Sequence, residues 1–281
     1  MNHEKSCHPH HSHEQDQQDE KRLMERMRAI KNKILVLSGK GGVGKSTVAV
    51  NVAVSLSLSG KKVGLLDIDI HGPSIPKLLH LEGISAKGDE LGVHPVDYSP
   101  NLKVMSIAFM MQEQEEAVIW RGPMKHGVIK QFLAYVAWDE LDYLVVDSPP
   151  GTGDEPLSIA QLLANQAQAI IVTTPQEIAL ADVRKSIAFC RKLSLPILGV
   201  IENMSGFACP HCNTLSEIFK SGGGEEMAKA MEVPFLGRIP IEPQIVLACD
   251  SGEPFIRNFA ETATAKAFEK VIKPILKMSN A

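Results

Sequence analysis

Two short stretches of the chain carry residue types at spacings that could do chemistry. GKGGVGKS (residues 39–46) fits the pattern G-x-x-x-x-G-K-[ST], in which a glycine-rich backbone turns its N–H groups onto phosphate oxygens. In that pattern Lys45 reaches the β- and γ-phosphates, the Ser46 hydroxyl binds Mg²⁺, and the following helix adds its positive N-terminal end. FACPHC (207–212) places Cys209 and Cys212 two residues apart in a chain with only five cysteines. Two thiolates at this spacing are half of a tetrahedral metal site. Two further loops offer carboxylates after apolar runs: LLDIDIHGPSIP (65–76) with Asp67 and Asp69, and VVDSPPGTGDEP (145–156) with Asp147. An aspartate at the end of a buried strand is well placed to hold Mg²⁺ through water.

These residues need a scaffold, and the pattern around them supplies one. KILVLS (33–38), KVGLLD (62–67), LKVMSI (102–107), DYLVVD (142–147), QAIIVTT (168–174), ILGVIE (197–202) and PFLGRI (234–239) read as strands apolar on both faces. Helical patterns fall between most of them, at 45–59, 123–137, 156–165, 179–193 and 222–231, with 257–278 closing the chain. The expectation is an α/β fold: a doubly wound, mostly parallel sheet with helices on both faces, in a single domain. Ligands of such sheets bind beyond the carboxyl ends of the strands, where the glycine and aspartate loops fall. Residues 33–281 are expected to form this domain. Residues 1–32 are expected to be a His-rich tail, with His3, His8, His10, His11, His13 and Cys7, followed by a short amphipathic lead-in helix carrying Leu23, Met24, Met27 and Ile30.

Composition narrows the function. The 29 basic and 33 acidic residues give a net charge of −4, which is no electrostatic footprint for nucleic acid. No long uncharged apolar stretch or secretory h-region occurs, so the expectation is a cytoplasmic protein with no membrane span and with reduced cysteines. The stretch KAFEKVIKPILKM puts Phe268, Val271, Ile272, Ile275 and Leu276 on one face. It reads as a core-packing terminal helix, or else as an interfacial one.

With Lys40 after the first glycine, GKGGVGKS resembles the deviant P-loop class, which includes nitrogenase iron protein, the Min and Par positioning ATPases and the Mrp/ApbC iron–sulfur carriers. DIDIHGPSIP, VIWRGPM (118–124), DSPPGTGD, TTPQE (173–177), ENMSGFACPHC and GRIPIEP (237–243) extend the resemblance to the Mrp/ApbC/Nbp-type carriers over about residues 33 to 278. The resemblance implies that ATP and Mg²⁺ are bound by Gly39, Lys40, Gly41, Gly42, Val43, Gly44, Lys45, Ser46 and Thr47. It also implies that Lys40 crosses a homodimer to the partner's phosphates. Asp67 and Asp69 would lie in switch I, with Asp69 positioning the attacking water. Asp147 would be the Walker B carboxylate, Gly151 would lie in switch II, and Asn203 would contact adenine. Unlike eukaryotic Nbp members, which carry four cysteines there, this N-terminus holds only Cys7.

Three readings of the cysteine pair stand side by side. A zinc ribbon needs a second C-x-x-C, and the chain has none. A thioredoxin-like redox pair expects the first cysteine at a helix N-terminus. In the third reading the missing half comes from a second copy, so that four thiolates hold a [4Fe–4S] cluster or a zinc ion. The function implied is an ATP-hydrolysing carrier that passes a [4Fe–4S] cluster to apo iron–sulfur proteins. The alternatives are a positioning ATPase and an iron-protein-like reductase.

Overall fold

The computed structural model describes residues 13–70, 72–110, 122–163, 166–209, 212, 214–254, 256 and 262–278. Cys7, His3, His8, His10 and His11, most of the VIWRGPM motif, and Pro210 and His211 between the paired cysteines lie outside the described residues. So do residues 257–261 of the expected closing helix.

The chain runs α1 (His13–Arg28), β1 (Ile30–Ser38), α2 (Lys45–Leu58), β2 (Val63–Asp67), α3 (Ile75–Leu78), β3 (Lys87–Asp89), β4 (Gly92–His94), β5 (Val96–Ser99) and β6 (Leu102–Ser106). After a 3₁₀ turn, Ile107–Met110, come α4 (Gly122–Tyr135), β7 (Leu141–Asp147), α5 (Asp154–Leu162), β8 (Ala167–Thr173), α6 (Glu177–Lys192) and β9 (Ile197–Ala208). The chain ends with β10 (Leu215–Ser216), α7 (Gly223–Ala230), β11 (Phe235–Ile241), α8 (Pro243–Asp250) and α9 (Ala263–Lys277).

The main sheet is ordered β10–β9–β8–β1–β7–β2–β6–β5, with β11 also paired to β9. All its pairings are parallel except β5 with β6 and β10 with β9. Helices cover both faces, so the central strands are apolar throughout: Ile34, Leu35, Val36, Val145, Val146, Ile170, Ile171 and Val172 are all buried. Parallel register brings strand ends together at one edge. Asp67 lies opposite Asp147 and Ser106, and Val36, two residues before the end of β1, lies opposite Asp147.

The terminal helix settles one alternative. Phe268, Val271, Ile272 and Ile275 of α9 are buried, packed over β11 and α2. Each such side chain contributes about 1.5–3 kcal/mol of burial. Tyr143 donates its hydroxyl to the carbonyl of Ile275 (3.0 Å), which holds the helix past Pro274. The apolar face belongs to the core, and among the described residues no helix is long and apolar enough to cross a membrane.

Two boundaries differ from the expectation. The lead-in helix, expected over Asp19 to Asn32, already ends at Arg28, and β1 starts at Ile30 rather than Lys33. Helical spacing groups Ile30 with Leu23 and Met27, but only those two bury against the fold from α1, whereas Ile30 pairs with Leu141 in the sheet and Met24 is exposed. Asp19 accepts from the Tyr135 hydroxyl (2.8 Å), and Arg22 stacks over the Tyr135 ring, fixing α1 on α4. The second difference is β9, which continues to Ala208 instead of ending at Glu202. Met204 and Gly206 take left-handed backbone (φ 55° and 79°), and the strand resumes pairing beyond them with β10 and β11.

Candidate functional site

The loop between β1 and α2 closes over the carboxyl edge of the sheet. Gly42 and Gly44 have φ of 79° and 78°, a region where a side chain is strained, and Gly44 sits at the N-cap of α2. Gly39 lies so close to α6 that a Cβ there would stand 2.5 Å from the carbonyl carbon of Asp182. The wrapped backbone leaves the first N–H groups of α2 without intrahelical partners, which is the geometry that receives phosphate. A cleft of about 270 Å³ opens there, walled by Lys40, Lys45, Ser46, Thr47, Asp69 and Pro150, among others.

Charge inside the cleft is tightly balanced. The Lys45 ammonium donates to Asp147 Oδ1, both groups buried, and lies 3.4 Å from Ser46 Oγ. Burial pushes the Asp147 carboxyl above its usual range, and Lys45 and Ser46 oppose that shift. The other oxygen, Oδ2, is buried without a hydrogen-bond partner. A buried, orphaned carboxylate oxygen beside a serine hydroxyl fits a hydrated divalent cation, so Asp147 and Ser46 are the residues that would hold Mg²⁺.

The two aspartates of the loop after β2 have different surroundings. Asp67 is fully buried and ties down the loop that follows it. Its oxygens accept from the N–H groups of Asp69 (3.1 Å) and Ile75 (3.2 Å) and from Ser106 Oγ (3.1 Å). Burial first, and the nearby Asp147 second, push its carboxyl up to about 8. Asp69 instead lines the cleft, its Oδ1 accepting from the Gly72 N–H. Gly151, at φ 89°, donates its N–H to the Ser38 carbonyl (2.8 Å), so the turn after β7 is latched to the end of β1. Lys40 lines the same cleft and makes no ion pair with another described residue.

Asn203 is not among the residues that line this cleft but sits behind its loop, donating its side-chain amide to the Val43 carbonyl (2.9 Å) and pressing on Gly44. Six residues later β9 and β10 form a hairpin whose loop holds the paired cysteines. The Cys209 N–H donates to the Thr214 carbonyl (3.0 Å), and Cys212 Sγ lies 3.2 Å from Thr214 Oγ1. The Thr214 hydroxyl and N–H, and Cys209, hold the Cys212 thiol below its ordinary range. Cys212 is exposed and Cys209 half-buried, whereas Cys190 is buried in the core and pushed up to about 12. Among the described residues no third His, Cys, Asp or Glu gathers at the pair. The loop follows a strand within the sheet, not a turn leading into a helix, which is unlike the thioredoxin arrangement.

Sequence reasoning missed Ser106, Thr214 and Glu202. Ser106 and Thr214 carry no motif. Glu202 stands beside Asn203 and had a readable signal: a carboxylate at the end of an otherwise apolar strand.

A parallel sheet with a glycine-rich phosphate loop before its first crossover helix, and aspartates at the ends of the neighbouring strands, defines a P-loop nucleoside triphosphatase. Within that class the chain belongs to the ParA family of NUBPL iron-transfer P-loop NTPases, whose model matches residues 29–276. It is 50% identical over 260 residues to an iron-sulfur cluster carrier protein of Methanocaldococcus jannaschii, covering 92% of this chain and 89% of that one. It is 47% identical over 251 residues to the cytosolic Fe-S cluster assembly factor NUBP2 of Rattus norvegicus, covering 88% and 93%. Among solved structures, a nucleotide-binding protein of Archaeoglobus fulgidus in complex with ADP aligns with a TM-score of 0.74 at 41% identity, covering 84% of this chain and 92% of that one. The cell division ATPase MinD of Pyrococcus furiosus aligns with a TM-score of 0.63 at 25% identity, covering 88% and 99%.

Proposed function

We propose that this protein is an ATP-binding and ATP-hydrolysing carrier that holds a [4Fe–4S] cluster between two copies of the chain and passes it to apo iron–sulfur proteins. The observation that carries the reading is the hairpin. It offers two accessible thiols, one of them acidified, on the strand whose preceding turn touches the phosphate loop. Two thiols are half a ligand set, and a two-fold axis beside the hairpin completes it. The names of the archaeal and rat relatives support the same cargo. A positioning ATPase has no use for such a pair, and an iron-protein-like reductase draws its cysteines from two separate loops.

In this reading the phosphates of ATP settle on the loop backbone and the first turn of α2. Lys45 turns from Asp147 toward the β- and γ-phosphates. Mg²⁺, when bound, neutralises phosphate charge as it develops. Ser46 and Asp147 orient that cation. Asp69 holds the attacking water, and Gly151 releases or keeps its latch according to whether a γ-phosphate is present. Asn203 extends the site toward adenine. Lys40 reaches the partner's phosphates.

Anaerobic reconstitution with iron and sulfide is the direct test. About four irons and four sulfides per two chains are expected, in a brown protein. A colourless protein holding only zinc would refute the cluster reading.

Lys40 gives a second, independent check. Lys40→Ala is expected to bind ATP within about threefold of wild type, since Lys45 and the loop backbone remain. Its kcat should fall at least about tenfold, because a cation supplied in trans to phosphates is worth about 10³-fold or more in other P-loop enzymes. Unchanged turnover would remove the cross-subunit role.

A further inference from the structure

Glu202 lies within β9, directly before Asn203 and the left-handed Met204, and its side chain is completely buried. A buried carboxylate is costly unless every lone pair is used, and here the partners are specific. Oε1 accepts from Ser205 Oγ (2.5 Å) and from the Gly222 N–H (2.9 Å), and Oε2 accepts from the Gly224 N–H. Arg238 Nε stands 3.8 Å from Oε1, and Ser205 Oγ also meets Ser221 Oγ at 3.2 Å. Gly224 has no room for a side chain: a Cβ there would lie 2.8 Å from Oε2.

These partners are the two ends of one excursion. Ser205 leads into the hairpin, Gly222 and Gly224 lead out of it into α7, and both cysteines lie between them. The carboxylate also sits on the first N–H groups of α7, where a negative charge is favoured. One side chain therefore closes the base of the whole cysteine loop.

The next residue holds the other site. Successive side chains of a strand point to opposite faces. Asn203 donates to the Val43 carbonyl of the phosphate loop, and Met204 packs on Gly44. From these contacts to Cys209 the chain passes through two left-handed residues, Met204 itself and Gly206, points at which a displacement would otherwise dissipate.

We propose that Glu202 is a positioning residue, a clasp that makes the cysteine hairpin move with the phosphate loop, so that nucleotide occupancy sets the accessibility of the Cys209 and Cys212 thiols. The proposal rests on the carrier reading for its biological meaning, but its test needs no cluster.

The test is residue-resolved alkylation of the metal-free full chain by iodoacetamide, read by mass spectrometry, with no nucleotide, Mg–ADP or a non-hydrolysable Mg–ATP analogue. In wild type the rate at Cys209 or Cys212 should change at least about fivefold between the free and ATP-analogue states. Glu202→Gln keeps the shape but turns an NH₂ group toward a backbone N–H, so one end of the clasp opens. Its rate ratio should fall to about one, with nucleotide affinity kept within about threefold. Ser205→Ala removes one partner without burying an unpaired group. It should lower the ratio at least about twofold, and it decides the matter if Glu202→Gln does not fold. A wild-type ratio near one, or folded variants that keep the full wild-type ratio, would overturn the clasp. A reconstituted wild type without iron, but with the ratio intact, would sink the carrier reading alone.

Discussion

Lys45→Ala is expected to lose nucleotide binding by about 10²- to 10³-fold. Charge-assisted hydrogen bonds are worth about 1.5–3 kcal/mol each, and Lys45 supplies two or more of them to the β- and γ-phosphates. The same substitution strands Asp147. In the free protein its Oδ1 accepts from Lys45 while Oδ2 has no partner, so the ammonium is the main group opposing the upward push of burial on this carboxyl, ahead of Ser46. Without it, burial is opposed only weakly and the carboxyl takes up a proton more readily. The sign follows from linkage. A carboxyl whose folded pKa is raised contributes stability that is present below its unfolded value of 3.8 and is lost as pH rises through the folded value. The variant should therefore unfold at a lower temperature than wild type at neutral pH, and the gap should narrow on acidification. Isothermal titration with Mg–ATP, paired with thermal melts across pH, reads both effects. Affinity within tenfold of wild type would mean that Lys45 does not meet the phosphates.

The same residues show what a sequence can disclose. The phosphate loop was legible because its requirements are local: Gly42 and Gly44 need backbone angles that few other residues adopt, and Lys45 follows at a fixed offset on the helix they introduce. The parallel sheet was legible because strands covered on both faces have little choice but to be apolar. Asp67 and Asp147 were legible as strand ends and Asp69 as a loop carboxylate two residues on, and the resemblance singled out Asp69, yet the way Asp67 is held was not legible. That Asp67 turns inward onto the N–H groups of Asp69 and Ile75 depends on where those two backbone groups end up relative to β2, which no spacing encodes. Long-range pairings were hidden for the same reason. Val43 and Asn203 are 160 positions apart, and only the sheet order β9–β8–β1 brings β9 within reach of the loop that follows β1. The extension of β9 to Ala208 was obscured by Met204 and Gly206, whose left-handed backbone reads locally as a strand end. The β3–β4 hairpin, KGD against GVH, has almost no apolar alternation to announce it. In α1 the helical spacing of Ile30 was true to period and wrong in partner, since a single buried side chain can serve the end of a helix or the start of a strand.

Substituting either cysteine of the hairpin should have the largest effect on the cargo. In the proposed dimer each chain would contribute two ligands, so Cys209→Ala or Cys212→Ala would leave two thiolates of four, both from equivalent positions, and no described His, Cys, Asp or Glu stands ready to replace the losses. Iron and sulfide after anaerobic reconstitution should fall below about a tenth of wild type in either single variant and in the double variant. Nucleotide binding should persist, because the phosphate loop and Lys45 belong to the β1–α2 connection and Asp147 ends β7, none of them in the hairpin. The two cysteines are not equivalent, however. Cys212 is exposed, and its thiol is held down by Thr214 and Cys209, so a larger share of it is thiolate at a given pH. It is the better first ligand for an incoming metal, and Cys209, half-buried, closes the site. Time-resolved loading should accordingly be slowed more at its onset by Cys212→Ala than by Cys209→Ala, although both end without cluster. Cys190→Ala supplies the control. That thiol is buried among core side chains and pushed up to about 12, so its removal should cost packing but no iron. Retention of about four irons per two chains in the Cys209→Ala/Cys212→Ala double variant would place the cluster on other residues and leave the hairpin thiols without a role in carriage.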